Sequence, residues 1–215
     1  MYDVSQIRAD FPILAREVNG KPLVYLDNGA SSQKPEEVIS VMNQVYKDEY
    51  ANVHRGLHYL SNQATEKYES VRGIVARFLN ASDENEIILN SGTTEGINMV
   101  AYAWAMEHLK HGDNIVLSVM EHHANIVPWH FLRARKDIKL VWIDPDEKGQ
   151  ISLEMVEDKI TSKTKMLCLT HMSNVFGSII DVKTICSELK KRGIVTVLDG
   201  SQAVVHLEID VKSIG

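Results

Sequence analysis

The chain has 215 residues, of which 44% are hydrophobic and 24% are charged, a composition typical of one soluble α/β domain. Its formal net charge of −6 argues against an electrostatic nucleic-acid binder. No apolar run approaches the length of a membrane span, and the N-terminus lacks the pattern of a signal peptide. Two cysteines do not form a disulfide framework. We therefore expect a cytoplasmic protein without nucleic-acid or membrane partners.

The first part of the chain predicts helices joined by irregular segments. Asn19-Gly20 is a turn dipeptide, and Pro35 suits the first turn of a helix. The expected elements are a short helix and turn over 3–20, a strand over 23–26, a small-residue loop over 27–32, a helix over 35–50, an irregular link over 51–60 and a helix with its N-cap at Ser61. The core stripe expected on this last helix consists of Ala64, Tyr68, Val71, Val75 and Phe78.

A tight turn at 91–98 is predicted to follow a short buried strand at 86–89 and to lead into a helix. The first backbone N–H groups of a helix have no partner within it, and the helix dipole there favours negative charge. Thr93 and Thr94 can add hydroxyl donors, and Gly92 lets a ligand approach the backbone. The turn therefore indicates either a phosphate cradle or an ordinary N-cap in which a threonine and a glutamate form a capping box.

Strands and helices alternate from residue 114 onward. The predicted strands are 114–119, 139–143, 166–170 and 194–198, and the predicted helices begin at Asn125, Leu153 and Val182, the last capped by Asp181. Continuous apolar strands in such an alternation predict a parallel sheet with helices on both faces. Ligands bind beyond the carboxyl ends of such strands. This rule selects the loops 91–94, 121–125, 171–174 and 199–202.

These loops carry the chemistry of a cofactor site. Asp199 at a strand end could bind a metal, a ribose hydroxyl or a protonated ring nitrogen. His122 could stack on a flat ligand, transfer protons or ligate a metal. An anion cradle, a carboxylate and a flat side chain together favour pyridoxal phosphate, whose phosphate, ring nitrogen and ring face need these partners. The segment with His54 and His58 contains Gly56 and indicates a loop, so no metal site is predicted.

The chain resembles the N-terminal half of a cysteine desulfurase of the SufS-type (group II) branch, which includes selenocysteine lyases. These are class V aminotransferase-like enzymes of fold-type I. The motifs that carry the resemblance are residues 8–12 (RADFP), 25–31 (YLDNGAS), 53–56 (VHRG), 92–98 (GTTEGIN), 121–129 (EHHANIVPW), 171–177 (HMSNVFG) and 199–203 (DGSQA). The resemblance implies an α/β fold-type I large domain with a mainly parallel sheet, incomplete at its C-terminus.

The resemblance also implies roles for individual residues. Thr93 and Thr94 would bind the phosphate of pyridoxal phosphate, and His122 would stack on its ring and shuttle protons. Asp199 would pair with the ring nitrogen. The remaining implied site residues are Gln202 at the ring hydroxyl oxygen, Asn174 by that oxygen and the substrate carboxylate, and Gly29, Ala30, His54 and Arg55 at the substrate-binding mouth or the dimer interface.

The implied activity is conversion of L-cysteine to L-alanine, with a persulfide passed to an acceptor protein for iron–sulfur cluster assembly. The implied assembly is a homodimer. Residues 1–22 would pack on a small C-terminal domain that this chain lacks, and residues 23–215 would form the incomplete cofactor-binding domain.

The Schiff-base lysine and the nucleophilic cysteine of the family fall beyond residue 215, and Lys212 lies in the stretch leading toward that lysine. We therefore expect the chain alone to show neither desulfurase activity nor the absorption of a lysine-bound cofactor. The alternatives are an inactive truncated scaffold or binding fragment, and a selenocysteine lyase in the full-length form.

Overall fold

The computed structural model describes residues 3–215, and the chain divides between Val71 and Arg72 into two compact units. The helices are α1 (Val4–Ala9), α2 (Glu36–Gln44), α3 (Tyr59–Leu79), α4 (Thr93–Met99), α5 (Met106–His108), α6 (Val127–Lys136), α7 (Leu153–Glu157), α8 (Val182–Lys191), α9 (Ala203–His206) and α10 (Val211–Ile214). The strands are β1 (Glu17–Val18), β2 (Lys21–Pro22), β3 (Asn114–Ser118), β4 (Lys139–Ile143), β5 (Thr164–Thr170) and β6 (Val195–Asp199). Wider π-helical turns follow α2 at Val45–Glu49 and join α4 to α5 at Val100–Ala105. Shorter 3₁₀ turns form at Pro12–Ala15, Glu84–Glu86 and His123–Asn125.

In the first unit, β1 and β2 form a small antiparallel hairpin. Its turn is Asn19-Gly20, as predicted, and both residues have positive φ angles of 55° and 69°, which suit a tight hairpin turn. The strand predicted over 23–26 is wrong, because these residues pair with no strand of the described chain. Leu26 is 90% exposed, so its apolar character does not reflect a place in a sheet.

Helix α3 begins at Tyr59, before the predicted N-cap. The Ser61 hydroxyl instead donates to the carbonyl of Asn52 at 2.8 Å, and Ser61 is the one buried residue among residues 3–71. A Cβ added at Gly56 would lie 2.2 Å from Ser61 Oγ, so this close approach requires glycine. The predicted core stripe is wrong at Val71 and Phe78, which are 38% and 66% exposed. Its other members, Ala64, Tyr68 and Val75, are half-buried.

The second unit contains a four-stranded parallel sheet in the order β4-β3-β5-β6. Its strands lie within two residues of the predicted bounds. The strand predicted over 86–89 does not form: Glu84–Glu86 make a 3₁₀ turn and the following residues are irregular. Ile87 is buried while Ile88 is 63% exposed. The apolar run therefore reflects the burial of Ile87 and not a strand in the sheet.

Both faces of this sheet are covered, as predicted. Successive residues of a strand point to opposite faces, and the two core clusters follow that alternation. Ile115 and Leu117 pack with residues of α4 and α6, whereas Val116 packs with residues of α7 and α8. None of the helices formed by residues 3–215 is both long and apolar enough to cross a membrane.

Candidate active site

Three neighbouring strands of the parallel sheet end at one edge of the second unit. Strands β3, β5 and β6 end at Ser118, Thr170 and Asp199, and Thr170 lies opposite Asp199 in the strand register. The backbone N–H of His171 donates to the carbonyl of Asp199 at 3.0 Å. The predicted loops that follow these strands therefore do meet at this edge.

The start of α4 reaches the same edge. Its N-cap is Gly92, with a φ of 136°, and no side chain caps the helix. A Cβ added at Gly92 would meet no atom within 4 Å, so the space before the helix is open. The Glu95 carboxylate accepts hydrogen bonds from the hydroxyl and the backbone N–H of Ser91, which lower the pKa of Glu95. The predicted capping box is thus replaced by a Ser91–Glu95 pair, and Thr93 and Thr94 remain exposed.

A chain of hydrogen bonds joins the start of α4 to the end of β6. Thr93 Oγ1 lies 2.9 Å from Ser201 Oγ. The Ser201 hydroxyl donates to Asp199 Oδ1 at 2.6 Å, and the backbone N–H of Ser201 donates to the same oxygen at 3.0 Å. Asp199 is 6% exposed. The candidate anion site and the candidate ring-nitrogen partner are therefore linked through one serine.

Glu121 is a second buried carboxylate at this edge. It accepts hydrogen bonds from the Ser118 hydroxyl, from the backbone N–H of Thr170 at 2.9 Å and from Asn125 Nδ2 at 2.7 Å. These bonds fasten the loop after β3 to the end of β5 and to the approach to α6. Burial raises the pKa of Glu121 to about 7 in spite of these bonds, and the nearby charge of Asp199 adds to the increase.

His122 follows Glu121 directly and is exposed. Its Nδ1 accepts a hydrogen bond from the backbone N–H of Ala124 at 3.2 Å. A ring nitrogen that accepts carries no proton, so the neutral imidazole has its proton on Nε2. The loop thereby fixes the tautomer and presents Nε2–H away from its own backbone.

Two further predicted residues lie beside these loops. Asn174 is exposed in the hairpin loop after β5. The Ser173 hydroxyl holds this loop, because it accepts hydrogen bonds from the backbone N–H groups of Val175 and Phe176. Gln202 is half-buried and directly precedes α9. The predicted roles of Asn174 and Gln202 stay predictions.

The remaining predicted residues belong to the first unit. His54 has a φ of 71°, and its backbone N–H donates to Thr65 Oγ1 at 2.9 Å. Its Nε2 pairs with the carboxylate of Glu69. Exposed loops also carry Arg55, Gly29 and Ala30. The structure thus gives His54 a fixed local conformation, and the predicted role of these residues at a substrate mouth or interface stays a prediction.

The sequence did not single out Ser201 and Glu121, which organise this edge. A signal for Ser201 was present, because a serine two residues after an aspartate is typical of a turn closed by the aspartate side chain. Its hydrogen-bond partner Thr93 is 108 residues away in the sequence, so local sequence patterns do not reveal this contact. Glu121 gave the signal of a carboxylate three residues after the end of a buried strand.

The donor set fits pyridoxal phosphate. Uncapped N–H groups and a threonine hydroxyl at the start of α4 suit a phosphate. Within residues 3–215, both hydrogen bonds to the Asp199 side chain fall on Oδ1, so Oδ2 can accept a further hydrogen bond from a protonated ring nitrogen. The exposed imidazole of His122 follows β3 at the same edge. Phosphate, ring nitrogen and ring face each have a partner of suitable chemistry.

The family model of aminotransferase class-V proteins matches residues 24–215, and the chain belongs to this family. Two curated relatives named cysteine desulfurase, from Escherichia coli O7:K1 (strain IAI39 / ExPEC) and Salmonella typhimurium (strain LT2), are each 46% identical to it over 99% of the chain. The match covers 52% of each relative. The chain therefore spans about half the length of the curated relatives it matches.

Solved structures of cysteine desulfurases share this fold. The S-sulfonic acid form of CsdA from Escherichia coli is 35% identical with a TM-score of 0.85, and the match covers 100% of this chain and 52% of that one. The apo enzyme from Thermococcus onnurineus NA1 is 36% identical with a TM-score of 0.90, covering 100% and 51%. The predicted α/β fold of the fold-type I large domain is confirmed.

Proposed function

We propose that the chain forms the larger part of the pyridoxal phosphate site of a cysteine desulfurase, which takes sulfur from L-cysteine and releases L-alanine. The observation that carries this proposal is the hydrogen-bonded link from Thr93 through Ser201 to Asp199, at the edge where His122 also lies. The likeness to relatives named cysteine desulfurase supports the substrate class.

In this proposal the start of α4 would bind the phosphate through its backbone N–H groups, those of Thr93 and Thr94 included, and through the Thr94 hydroxyl. The Thr93 hydroxyl proton is directed to Ser201. Asp199 Oδ2 accepts a hydrogen bond from the ring nitrogen and keeps it protonated. Pyridoxal phosphate held in this way would supply an electron-withdrawing ring for the reacting carbon of the substrate. His122 would cover the ring face, and its Nε2–H would be a hydrogen-bond donor on the substrate side. The expected proton shuttle would also require the Ala124 N–H bond to Nδ1 to open.

The surrounding loops complete the proposed site. Gln202 hydrogen-bonds the ring hydroxyl oxygen, and Asn174 lies by that oxygen and the substrate carboxylate. Four residues of the first unit bind substrate or a second subunit of a homodimer: Gly29, Ala30, His54 and Arg55. Residues 1–22, of which 1 and 2 lie outside the described residues, are proposed to pack on a small domain of the longer protein, and residues 23–215 to supply the cofactor-binding domain.

Sulfur transfer requires a reactive thiolate. Cys168 and Cys186 are buried, and burial raises the pKa of both thiols. These cysteines therefore pack in the core, and we propose that the nucleophile and the Schiff-base lysine come from the longer protein outside this chain. The persulfide then passes to a sulfur-acceptor protein of iron–sulfur cluster assembly in the cytoplasm.

Binding of pyridoxal phosphate to residues 1–215 tests the cofactor site. Cofactor at one hundred times its dissociation constant is expected to stabilise the folded chain by about 2.7 kcal/mol, measured as a rise in melting temperature. Asp199→Asn and Thr94→Ala should reduce this rise. Thr184→Ala is the matched control, because this hydroxyl donates to Asp181 at the start of α8. The absence of any cofactor-dependent rise in the parent chain would count against the site.

Substrate turnover tests the activity. Residues 1–215 with cofactor and L-cysteine should release no alanine, and the longer protein should release alanine and form a persulfide. The rates with L-cysteine and L-selenocysteine then distinguish a desulfurase from a selenocysteine lyase. Alanine release by residues 1–215 alone would contradict the assignment of the lysine and the nucleophile to the longer protein.

A further inference from the structure

The direction of the hydrogen bonds at Ser201 follows from the donors available. A serine hydroxyl has one proton and two lone pairs, and an ionised carboxylate only accepts. Ser201 Oγ lies 2.6 Å from Asp199 Oδ1, so the serine proton points to Asp199. At the 2.9 Å contact with Ser201, Thr93 must therefore be the donor. The series of hydrogen bonds therefore runs from the Thr93 hydroxyl to the Ser201 hydroxyl and from there to the Asp199 carboxylate.

These hydrogen bonds join α4 and β6, two elements of the candidate site that are distant in sequence. Thr93 opens α4, and Asp199 ends β6. The backbone N–H of Ser201 also binds Asp199 Oδ1, at 3.0 Å, so the serine holds this carboxylate oxygen from two donors. Its hydroxyl alone extends the link to α4. Removing the hydroxyl breaks the connection and leaves the backbone bond to Asp199 in place.

We propose that Ser201 is a positioning residue that holds the start of α4 and the Asp199 carboxylate at the spacing that pyridoxal phosphate needs. This inference rests on the proposed function, in which these two groups bind opposite ends of one cofactor. A ligand that engages two sites at once binds more tightly than either part alone, provided that the spacing of the sites matches the ligand. Ser201 therefore acts on the joint binding of both ends and not on either end alone.

Three ligands separate this role from a direct contact. Pyridoxal phosphate engages both ends, pyridoxal only the Asp199 end and inorganic phosphate only the α4 end. Ser201→Ala is expected to weaken pyridoxal phosphate binding about tenfold, because the two ends of the site are no longer held at the spacing that the cofactor needs. The same variant should change the dissociation constants of pyridoxal and inorganic phosphate less than about twofold. Titration calorimetry on the folded chain measures all three constants.

Matched variants complete the experiment. Ser201→Thr keeps the hydroxyl and should restore binding of pyridoxal phosphate. Thr94→Ala should weaken pyridoxal phosphate and inorganic phosphate together, because Thr94 contacts one end directly. Ser70→Ala is the control, since this hydroxyl donates to the carbonyl of Lys67 on α3, and all three constants should stay unchanged. Circular dichroism spectra verify that each variant is folded.

The outcomes distinguish this inference from the proposed function. If the parent chain binds none of the three ligands, the cofactor site itself is wrong, and the inference fails with it. If the parent binds pyridoxal phosphate and Ser201→Ala binds it equally well, only the role of Ser201 is overturned. The role of Ser201 would also be overturned if Ser201→Ala weakened binding of pyridoxal or of inorganic phosphate as much as binding of pyridoxal phosphate. That result would indicate that Ser201 contacts one end of the ligand directly.

Discussion

Substituting Glu121 with glutamine probes the buried carboxylate that joins the loop after β3 to the end of β5. Burial raises its pKa from the ordinary value of 4.5 to about 7. Between these two values the unfolded chain has released its proton while the folded chain still holds it. The stability contribution of this group is therefore complete below pH 4.5, falls as pH rises and is lost above about pH 7.

The size of the effect follows from the two pKa values. The difference between 4.5 and about 7 corresponds to about 3 kcal/mol of unfolding free energy. Glu121→Gln cannot ionise, so its stability relative to the parent should improve by about 3 kcal/mol over this pH range. The glutamine NH₂ group can also face Asn125 Nδ2, which donates to this side chain. That donor conflict costs about 1–3 kcal/mol, is independent of pH and cancels in the comparison.

Urea denaturation followed by circular dichroism at several values between pH 5 and pH 8 measures this difference. Ser118→Ala is the companion variant, because the Ser118 hydroxyl lowers the pKa of Glu121, and its loss should extend the pH-dependent range upward. A stability difference between Glu121→Gln and the parent that stays constant over this range would refute the reasoning. It would mean that the folded protein does not hold the proton on Glu121.

Two further predictions concern packing. Gly56→Ala places a Cβ 2.2 Å from Ser61 Oγ and should destabilise the first unit by about 1–3 kcal/mol, seen as a lower melting temperature in circular dichroism. Gly29→Ala is the control, because the added Cβ would meet no atom within 4 Å, and it should melt like the parent. Cys168 and Cys186 are buried with raised thiol pKa values, so a thiol reagent at pH 8 should label them slowly in buffer and rapidly in urea. Rapid labelling of the folded chain would contradict their burial.

The sequence predicted the parallel sheet well because its signals are local. The strands at Lys139–Ile143 and Asn114–Ser118 are apolar runs bounded by turns, and the alternation with helices implied parallel pairing. The runs at 23–26 and 86–89 are also mainly apolar but form no strand. A strand forms only when it hydrogen-bonds to a neighbouring strand. The sequence of a short apolar run specifies neither that neighbour nor the strand order of the sheet.

The candidate site was predictable to the extent that it follows from strand ends. Asp199, His122 and the turn at 91–98 were selected by the rule that ligands bind beyond the carboxyl ends of parallel strands. The link made by Ser201 depends on how the start of α4 approaches β6, which local patterns do not encode. The raised pKa of Glu121 likewise depends on burial by distant parts of the chain.

The contrast in burial between the two units determines what an unfolding experiment on this protein can detect. Ser61 is the one buried residue among residues 3–71, whereas both core clusters lie after residue 96. The denaturant m-value and the heat capacity of unfolding scale with the surface that unfolding exposes. Both quantities therefore report mainly on the sheet and its helices, and amide hydrogen exchange is the method that can follow the opening of the first unit separately.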